Sequence, residues 1–267
     1  MRPLAVIGHL SCDVVAGGAP RIGGGPWHAA RALRALRENA VLFAKCGESD
    51  RHRFRRELAA TGLATSFSFA GTTTAFSMSY DEHGARTMAV EAIGEPWSAS
   101  EPRQDLLRDV EWLHVAPLLR SDFDAETLAR LGRGRRILLD GQGLVRVPQR
   151  GLLVLDDDFD RRVLRHVAIL KLAEEEARAI AGDADLSSLA SLGVPEIVVT
   201  FGLQGCLVLV RGTATHVPAR PVHVDPTGSG DAFAAAYLAA RAARHAPASA
   251  ARRATAVVSA LLSGSVR

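Results

Sequence analysis

The sequence predicts a doubly wound α/β fold, in which helices cover both faces of a mostly parallel sheet. Short apolar runs of strand length recur along the chain, and stretches of helix length separate them. These runs are Leu4 to Leu10, Ala40 to Lys45, Glu111 to Val115, Arg136 to Asp140, Val167 to Leu172 and Glu196 to Phe201. Runs rich in Val, Ile and Leu that alternate with helices are typical of a parallel sheet buried on both faces.

The segments between these runs carry helix signals. Pro26 fits the first position of a helix, and apolar residues recur at helical spacing after it. Glu174 to Ala181 follows its strand directly and also predicts a helix. The alanine-rich stretch Ala232 to Leu262 predicts two packed helices that are interrupted near Pro247.

The segment from Thr65 to Ala92 departs from the strand–helix alternation. Apolar and small polar residues alternate along it, with a turn at Asp81 to Gly84, which predicts a small antiparallel excursion. Such a sheet is either a lid over the open end of the parallel sheet or an ordinary edge hairpin. No other boundary is evident, so we expect residues 1–267 to form a single domain.

Composition excludes several classes of protein. The chain of 267 residues is long enough to bury a core without disulfides or structural metals. The net charge is only +3; Lys45 and Lys171 are the only lysines, so thirty of the 32 cationic residues are arginine. These arginines are dispersed along the chain, whereas a nucleic-acid-binding protein concentrates them in a stripe or tail. We expect no nucleic-acid partner.

Cysteine usage and hydropathy indicate a cytoplasmic protein. Cys12, Cys46 and Cys206 form no CxxC pair and leave an odd count, which argues against a disulfide framework and a zinc cluster. The first apolar run is too brief for a signal peptide, and no stretch approaches the ~20 apolar residues needed to span a bilayer. We therefore expect no membrane partner.

The segment from Asp225 to Phe233 reads DPTGSGDAF and carries the strongest chemical signal. Gly228 and Gly230 allow the backbone to approach a ligand closely, and the helix that follows directs its first amide groups toward that ligand. A helix N-terminus of this kind binds phosphate and stabilises its negative charge by ~0.3 to 2 kcal/mol. Asp231 is then either a base that takes a proton from an attacking hydroxyl or an aspartate that caps its helix.

These residues resemble the ribokinase-like (PfkB) carbohydrate kinases, whose C-terminal signature runs close to DTTGAGDxF. Further segments resemble family motifs: GGGPWHAA over residues 23–30, Asp13 shortly after the first strand, and TFGLQG over residues 200–205. Glu174 falls where the family's N-x-x-E motif ends. The resemblance spans residues 4 to 262, essentially the whole chain.

The resemblance implies a role for each matched position. Asp231 would be the general base, and the amides of Gly228, Ser229 and Gly230 would hold the transferring phosphoryl charge. Asp13, Gly24, Gly25 and His28 would bind the acceptor, while Thr200, Gly202, Gly205 and Lys171 would bind ATP. Glu174 would act on Mg²⁺ through water, and Asp225 and Thr227 lie where some members bind a stimulating monovalent cation such as K⁺.

Two positions depart from the family pattern. His28 replaces an asparagine, so an imidazole that titrates near neutral pH either contacts the acceptor or packs on its helix. Lys171 replaces the asparagine of N-x-x-E. Its ammonium would approach the phosphates, pair with Glu174, or simply reach solvent at the strand end.

A third group follows a strand end on the same rim of the sheet. Asp140, Gln142 and Arg146 either contact acceptor or phosphate or form a structural turn. Strings of this kind resemble the inositol-kinase-like branch of the family.

These observations together favour an ATP-dependent, magnesium-requiring kinase that phosphorylates a hydroxyl of a small sugar or polyol. Two alternatives remain at this point: a nucleoside kinase of the same fold, and a non-catalytic member that binds a metabolite. In some members the lid is shared across a dimer, so we expect a monomer or a homodimer.

Overall fold

The computed structural model describes residues 4–80, 86–182, 186–219 and 227–264, and two sheets organise them. The larger sheet has nine strands in this described part of the chain. Their spatial order is β14 (Thr213–Val217), β13 (Cys206–Val210), β12 (Glu196–Thr200), β11 (Val167–Ala173), β9 (Arg136–Asp140), β8 (Trp112–Ala116), β1 (Leu4–His9), β4 (Ala40–Gly47) and β5 (Ala64–Ala70). The smaller sheet, here called the lid sheet, runs in the order β10 (Gly151–Leu152), β7 (Arg86–Ala92), β6 (Thr74–Tyr80), β2 (Ser11–Val15) and β3 (Arg21–Gly23).

The large sheet confirms the predicted doubly wound core. All six apolar runs form its strands, and they differ from the predicted bounds only at their ends. Strands β12, β11, β9, β8, β1, β4 and β5 are parallel, while β13 and β14 add an antiparallel hairpin at one edge. Parallel strands place their carboxyl ends at one rim, where ligands of such folds bind.

Helices cover both faces of this sheet. The helices are α1 (Gly25–Ala35), α2 (Arg51–Ala59), α3 (Gln104–Leu107), α4 (Ala125–Leu131), α5 (Gln142–Val145), α6 (Glu174–Ala181), α7 (Leu186–Ser191), α8 (Ser229–Ala242) and α9 (Pro247–Leu262). Buried residues of α1, α2, α8 and α9 share one apolar cluster with one face of the sheet. Those of α4, α6 and α7 pack against the other face. No helix in the described ranges is long and apolar enough to cross a membrane.

Helix α8 is the central helix of the first layer, because every residue from Ala232 to Ala240 is buried. A helix that is apolar all round must lie inside the protein. Its far end is fixed to β12: Tyr237 donates to Oε1 of Glu196 at 2.6 Å, and Arg241 donates to both carboxylate oxygens at 2.9 Å. These charge-assisted bonds hold α8 so that its N-terminus stays at the carboxyl rim.

The lid sheet differs from the predicted excursion. Segments Thr74–Tyr80 and Arg86–Ala92 do pair antiparallel, but Ala64–Ala70 is the edge strand of the large sheet, parallel to β4. Helix α2 connects β4 to β5 as a crossover. The alternating sequence of β5 fits an edge strand as well as a lid strand. The predicted turn from Asp81 to Gly84 lies outside the described residues.

The buried side chain of His9 connects two segments that run between the large sheet and the lid sheet, one after β1 and one after β7. His9 ends β1, one residue before the lid sheet begins, and its Nε2 lies 2.8 Å from the carbonyl oxygen of Glu95, on the returning segment. Its Nδ1 lies 3.1 Å from Oδ2 of buried Asp122. Burial alone would lower the pKa of His9, but Asp122 and the Glu95 carbonyl outweigh it and raise that pKa. Two acceptors on one imidazole favour the charged, doubly protonated ring.

Candidate active site

The N-terminus of α8 lies at the carboxyl rim of the sheet. Gly228 is its N-cap, and Ser229 and Gly230 open the helix. The amide of Ala232 donates to the Gly228 carbonyl at 3.0 Å, so the amides before Ala232 precede the first intrahelical bond. Such amides provide an anion site. Asp231 lies in this first turn and is the acidic residue that the sequence singles out.

Gly228 and Gly230 are required in this turn because a side chain at either position would collide with a neighbouring side chain. Gly228 has φ +76°, and a Cβ there would overlap the imidazole of His28. His28 therefore packs on the N-cap of α8. A Cβ on Gly230 would lie 2.8 Å from Nζ of Lys171, so the ammonium group stands against the backbone of the first helical turn.

The N-terminus of α1 meets the same point. Its N-cap is Gly24, and its first residue, Gly25, approaches Asp231 so closely that a Cβ would lie 3.2 Å from Oδ1. Two helix N-termini thus border one carboxylate, and both favour negative charge there.

Lys171 is held by its neighbour in the sheet. It is the register partner of Asp140 on β9, and its Nζ lies 3.2 Å from Oδ1 of Asp140. Both side chains are buried, with 5% and 1% of their surface exposed. The alternative in which Lys171 reaches solvent is therefore wrong. The other oxygen of Asp140, Oδ2, is buried and has no partner among the described residues.

The role predicted for Glu174, contact with Mg²⁺ through water, stays a prediction. Its side chain is partly exposed and pairs with Arg178 one turn later on α6. Glu176 is instead buried, accepts a bond from the amide of Ala173 at 2.8 Å and interacts electrostatically with Lys171. Ala173 and Glu176 have the same three-residue spacing as N-x-x-E, two positions later along the chain.

The charges in this cluster explain the titration of Asp231. Lys171 and Arg146 face three carboxylates, those of Asp140, Glu176 and Asp231. Burial, followed by the charge of Asp140, raises the pKa of Asp231 to about 7, although Lys171 and Arg146 oppose this. Burial would lower the pKa of Lys171, but the three carboxylates outweigh it, so the ammonium stays charged. One carboxylate is thus poised to exchange a proton near neutral pH.

A cavity of about 80 Å³ opens beside Asp231. Its polar lining includes Ser11 and Asp13 of β2, together with Gln142 and Arg146. Nε2 of Gln142 lies 3.5 Å from Oδ1 of Asp231. Gly24, His28 and Thr227 also line the cavity, so the structure brings most of the predicted acceptor and base residues together.

Asp13 lines this cavity and has a carboxylate oxygen that accepts no hydrogen bond from the described residues. It is 7% exposed, and its Oδ1 is buried without a partner among the residues described. Burial raises the pKa of Asp13, while Ser11, Arg146 and Arg21 lower it. A hydroxyl donor of a bound ligand would satisfy this oxygen.

The predicted nucleotide residues lie one strand further along the rim. Thr200 ends β12 and donates to the carbonyl of Leu172 on β11 at 3.2 Å. Gly202 and Gly205 flank the short turn that follows; the first is exposed and the second is buried. They neighbour the strand that carries Lys171 but do not line the cavity beside Asp231. For the cation prediction, Asp225 lies outside the described residues, whereas Thr227 lines the cavity.

Sequence reasoning missed some residues of this site. Glu176 stands in a run of three glutamates, and only helix geometry distinguishes the buried one. The apolar lining from Met78, Met88 and Leu118 was also missed, since strands that face a cavity resemble strands that face a core. Asp140, Gln142 and Arg146 had a usable signal, because they follow a strand end.

The fold and this site define a class: a doubly wound α/β protein whose central helix, α8, follows a glycine-rich turn at the carboxyl rim of the sheet. The family follows from sequence comparison. Residues 17–265 match the family described as pfkB family carbohydrate kinase, and the chain belongs to that family.

Individual relatives differ in what they phosphorylate. A fructokinase of Klebsiella pneumoniae is 30% identical over 91% of this chain and 85% of its own length. A cytidine kinase of Thermococcus kodakarensis is 28% identical over 90% of this chain and 88% of its own. A solved pyrophosphate-dependent kinase of the ribokinase family, complexed with a pyrophosphate analogue and myo-inositol, superposes with a TM-score of 0.83 and 25% identity, covering 97% of this chain and 95% of its own.

Proposed function

We propose that this carbohydrate kinase transfers a phosphoryl group to a hydroxyl of a small polyol or sugar, with Asp231 as general base. The observation that carries this proposal is the position of Asp231. Its carboxylate, with a pKa of about 7, stands between two helix N-termini and borders a cavity lined by hydroxyl-binding groups. A base of this pKa is half ionised at neutral pH and still strong enough to accept a proton.

The geometry supports the following chemical step. The acceptor hydroxyl oxygen forms a bond to the donor's terminal phosphorus, its proton passes to Asp231, and the bond from phosphorus to the leaving phosphate oxygen breaks. Amides at the start of α8 face the phosphoryl oxygens, whose negative charge they stabilise. Because phosphoryl transfer has little covalent chemistry for the protein, position and charge supply most of the rate.

The acceptor side of the cavity suits a polyhydroxylated ring. The unpartnered Oδ1 of Asp13 accepts from a hydroxyl, Gln142 both donates and accepts, and Arg146 donates. A ring that carries hydroxyls on neighbouring carbons can satisfy all three groups at once. The solved relative that binds myo-inositol supports testing cyclic polyols first.

The donor side of the site combines two carboxylates that could hold Mg²⁺ with the ammonium group of Lys171. ATP with Mg²⁺ is the donor that family membership implies, and Asp140 and Glu176 have the oxygen ligands that Mg²⁺ prefers. The unpartnered Oδ2 of Asp140 fits such a role, with Mg²⁺ reducing the negative charge of the donor phosphates. Lys171 adds its own charge against Gly230, where those phosphates would lie. K⁺ near Thr227 stays a prediction.

Lys171 also favours a second candidate donor, pyrophosphate. Pyrophosphate has no nucleoside to bind, so its affinity must come from groups that contact phosphate. A buried, permanently charged ammonium beside a helix N-terminus is such a group. The similarity to a pyrophosphate-dependent kinase points the same way.

One matrix of assays tests these choices. Each of myo-inositol, fructose, ribose and cytidine is combined with ATP or pyrophosphate and Mg²⁺, and the phosphorylated product is measured by mass spectrometry. We expect a polyol or sugar to be the best acceptor. A preference for cytidine would support the nucleoside kinase instead. Ligand-induced rises in melting temperature without any product would support the non-catalytic alternative.

Two variants test the assigned roles. Asp231→Asn should lower kcat by about 10²- to 10⁴-fold and leave acceptor KM nearly unchanged, because the base acts on the transferred proton. Asp13→Asn serves as the matched control and should raise acceptor KM with a smaller change in kcat. If Asp231→Asn retains most of the turnover, the assignment of the base is wrong.

A further inference from the structure

A second cavity, of about 500 Å³, lies at the amino rim of the large sheet, opposite the rim that carries Asp231. Trp112, Arg136 and Glu196 line this cavity, and each is the first residue of a parallel strand. Arg241 also lines it and lies ten residues after Asp231 on α8, about 15 Å along the helix axis. This cavity, here called the amino-rim cavity, is therefore separate from the candidate active site.

The lining of the amino-rim cavity has a surplus of positive charge. Its guanidinium groups are those of Arg136, Arg211 and Arg241. The carboxylate of Glu196 is already engaged, since Tyr237 and Arg241 donate hydrogen bonds to its two oxygens. Arg136 and Arg211 form no ion pair within the described part of the chain. Helix ends of opposite polarity meet here, from α8 and α9, so the surplus comes from the side chains and attracts an anion.

Apolar groups separate the two unpaired arginines. Arg136 begins β9 and Arg211 follows β13, three strands away, so about 14 Å separates them perpendicular to the strands. Ile169, on β11 between these strands, lines the cavity together with Val210. The guanidinium group of Arg136 lies over the ring of Trp112, 5.0 Å from its centroid, and this contact orients the charge. The cavity thus presents a cation at each end of an apolar floor.

The backbone at Arg211 departs from local preference. Arg211 and Gly212 form the tip of the hairpin between β13 and β14, with φ of +49° and +82°. Tight hairpin turns with positive φ favour asparagine, aspartate or glycine, so the turn itself does not account for an arginine. A ligand anion that contacts its guanidinium group would account for it.

We propose that the amino-rim cavity binds a bisphosphorylated organic molecule of the size of a sugar. One phosphate contacts Arg136 and the other contacts Arg211. The carbon skeleton lies on Ile169 and Val210. Guanidinium groups match the oxygens of phosphate, and a cavity of this size is in the range of small-molecule sites. This site goes beyond the proposed function and does not depend on it.

Trp112 provides a direct reporter of the cavity, because Arg136 lies on its ring. The chain has three tryptophans, so Trp27→Phe with Trp97→Phe leaves Trp112 as the sole source of tryptophan fluorescence. This protein is titrated with glucose 1,6-bisphosphate, glucose 6-phosphate or inorganic phosphate, without donor or acceptor. We expect the bisphosphate to bind about tenfold or more tightly than the monophosphate, since it makes one further charge-assisted contact. Inorganic phosphate should bind most weakly, because it has no carbon portion.

Arginine variants in the same background locate the ligand. Arg211→Asn keeps a residue that tolerates positive φ, and Arg136→Gln changes an exposed side chain, so both should fold. Each should raise the Kd of the bisphosphate about tenfold and remove most of its advantage over the monophosphate. Arg56→Gln is the matched control: it removes the same charge from an exposed site on α2, which packs against β5 at the other end of the large sheet. Gly230→Ala is the second control and alters the candidate active site.

The outcomes are distinct. A bisphosphate Kd that rises in both arginine variants, and that Arg56→Gln and Gly230→Ala leave unchanged, supports the proposal. A Kd that rises only in Gly230→Ala places the ligand in the candidate active site and overturns it. Absence of any Trp112 response at about 10 mM bisphosphate, or equal affinity for bisphosphate and inorganic phosphate, also overturns it. Because binding is measured without turnover, a failure of the proposed kinase activity would leave this test unaffected.

Discussion

Removal of the Lys171 ammonium should cost far more stability than removal of any surface cation. Lys171→Met keeps most of the side-chain volume but leaves Asp140, which is 1% exposed, beside two further carboxylates. Breaking a buried ion pair on one side costs about 3–5 kcal/mol, because the remaining charge stays buried without compensation. Against a typical domain stability of about 5–15 kcal/mol, this loss is measurable by urea unfolding.

A double-mutant cycle tests the physical cause. Asp140→Asn alone should also destabilise the protein, but added to Lys171→Met it should restore stability, since no uncompensated carboxylate remains at that position. We expect a coupling energy of about 2 kcal/mol or more between the two sites. Unfolding is followed by far-ultraviolet circular dichroism at constant pH and salt.

Lys45 provides the matched control, since it is the other lysine of the chain and is also buried. It pairs with Glu101, whose side chain is 26% exposed, so Lys45→Met leaves a carboxylate that water can reach. We expect a smaller loss of stability and no change in donor affinity. If the effects of Lys171→Met and Asp140→Asn simply add, the buried pair does not act as described.

Asp231→Asn should stabilise the protein above neutral pH. The pKa of Asp231 is about 7 in the folded protein and 3.8 ordinarily, so ionisation of this carboxyl group costs the folded state up to about 4 kcal/mol. Because the side chain is partly exposed, solvent reduces this cost to about 2 kcal/mol. Denaturant unfolding should show a larger gain at pH 8 than at pH 5; an equal gain would contradict it. Gly230→Ala should displace the Lys171 ammonium and raise the donor Kd several-fold, as measured by calorimetry; an unchanged donor Kd would contradict this role of Lys171. His9→Gln should destabilise the protein most below pH 6.5, because a raised folded-state pKa stabilises the charged ring there and this contribution is lost as pH rises; a pH-independent loss would refute it.

The sequence predicted the parallel sheet well because its strands are buried on both faces, which leaves continuous apolar runs such as Leu4–Ile7. It predicted the lid less well. Ala64–Ala70 alternates like a lid strand, yet the crossover through α2 places it on the large sheet. Alternation reports a strand with two unlike faces, not the sheet to which it belongs.

The candidate site shows a similar division. Asp231 and its glycines could be predicted because a glycine-rich turn before a helix has a specific chemical meaning. Glu176 could not be predicted, since any of three consecutive glutamates could end the N-x-x-E motif. Only the packing of the helix shows that Glu176 is buried, while Glu174 pairs with Arg178. The Lys171–Asp140 pair required strand register, which the sequence does not specify.

The pH dependence of kcat/KM tests the central claim, that Asp231 is the base, most directly. For the parent with its best polyol acceptor, kcat/KM should rise with pH and level off above about 7, the pKa of Asp231. In Asp140→Asn the rise should move to lower pH, because a neighbouring negative charge that raises this pKa has been removed. A profile that is flat from pH 5 to 8, or that Asp140→Asn leaves unchanged, would contradict the assignment.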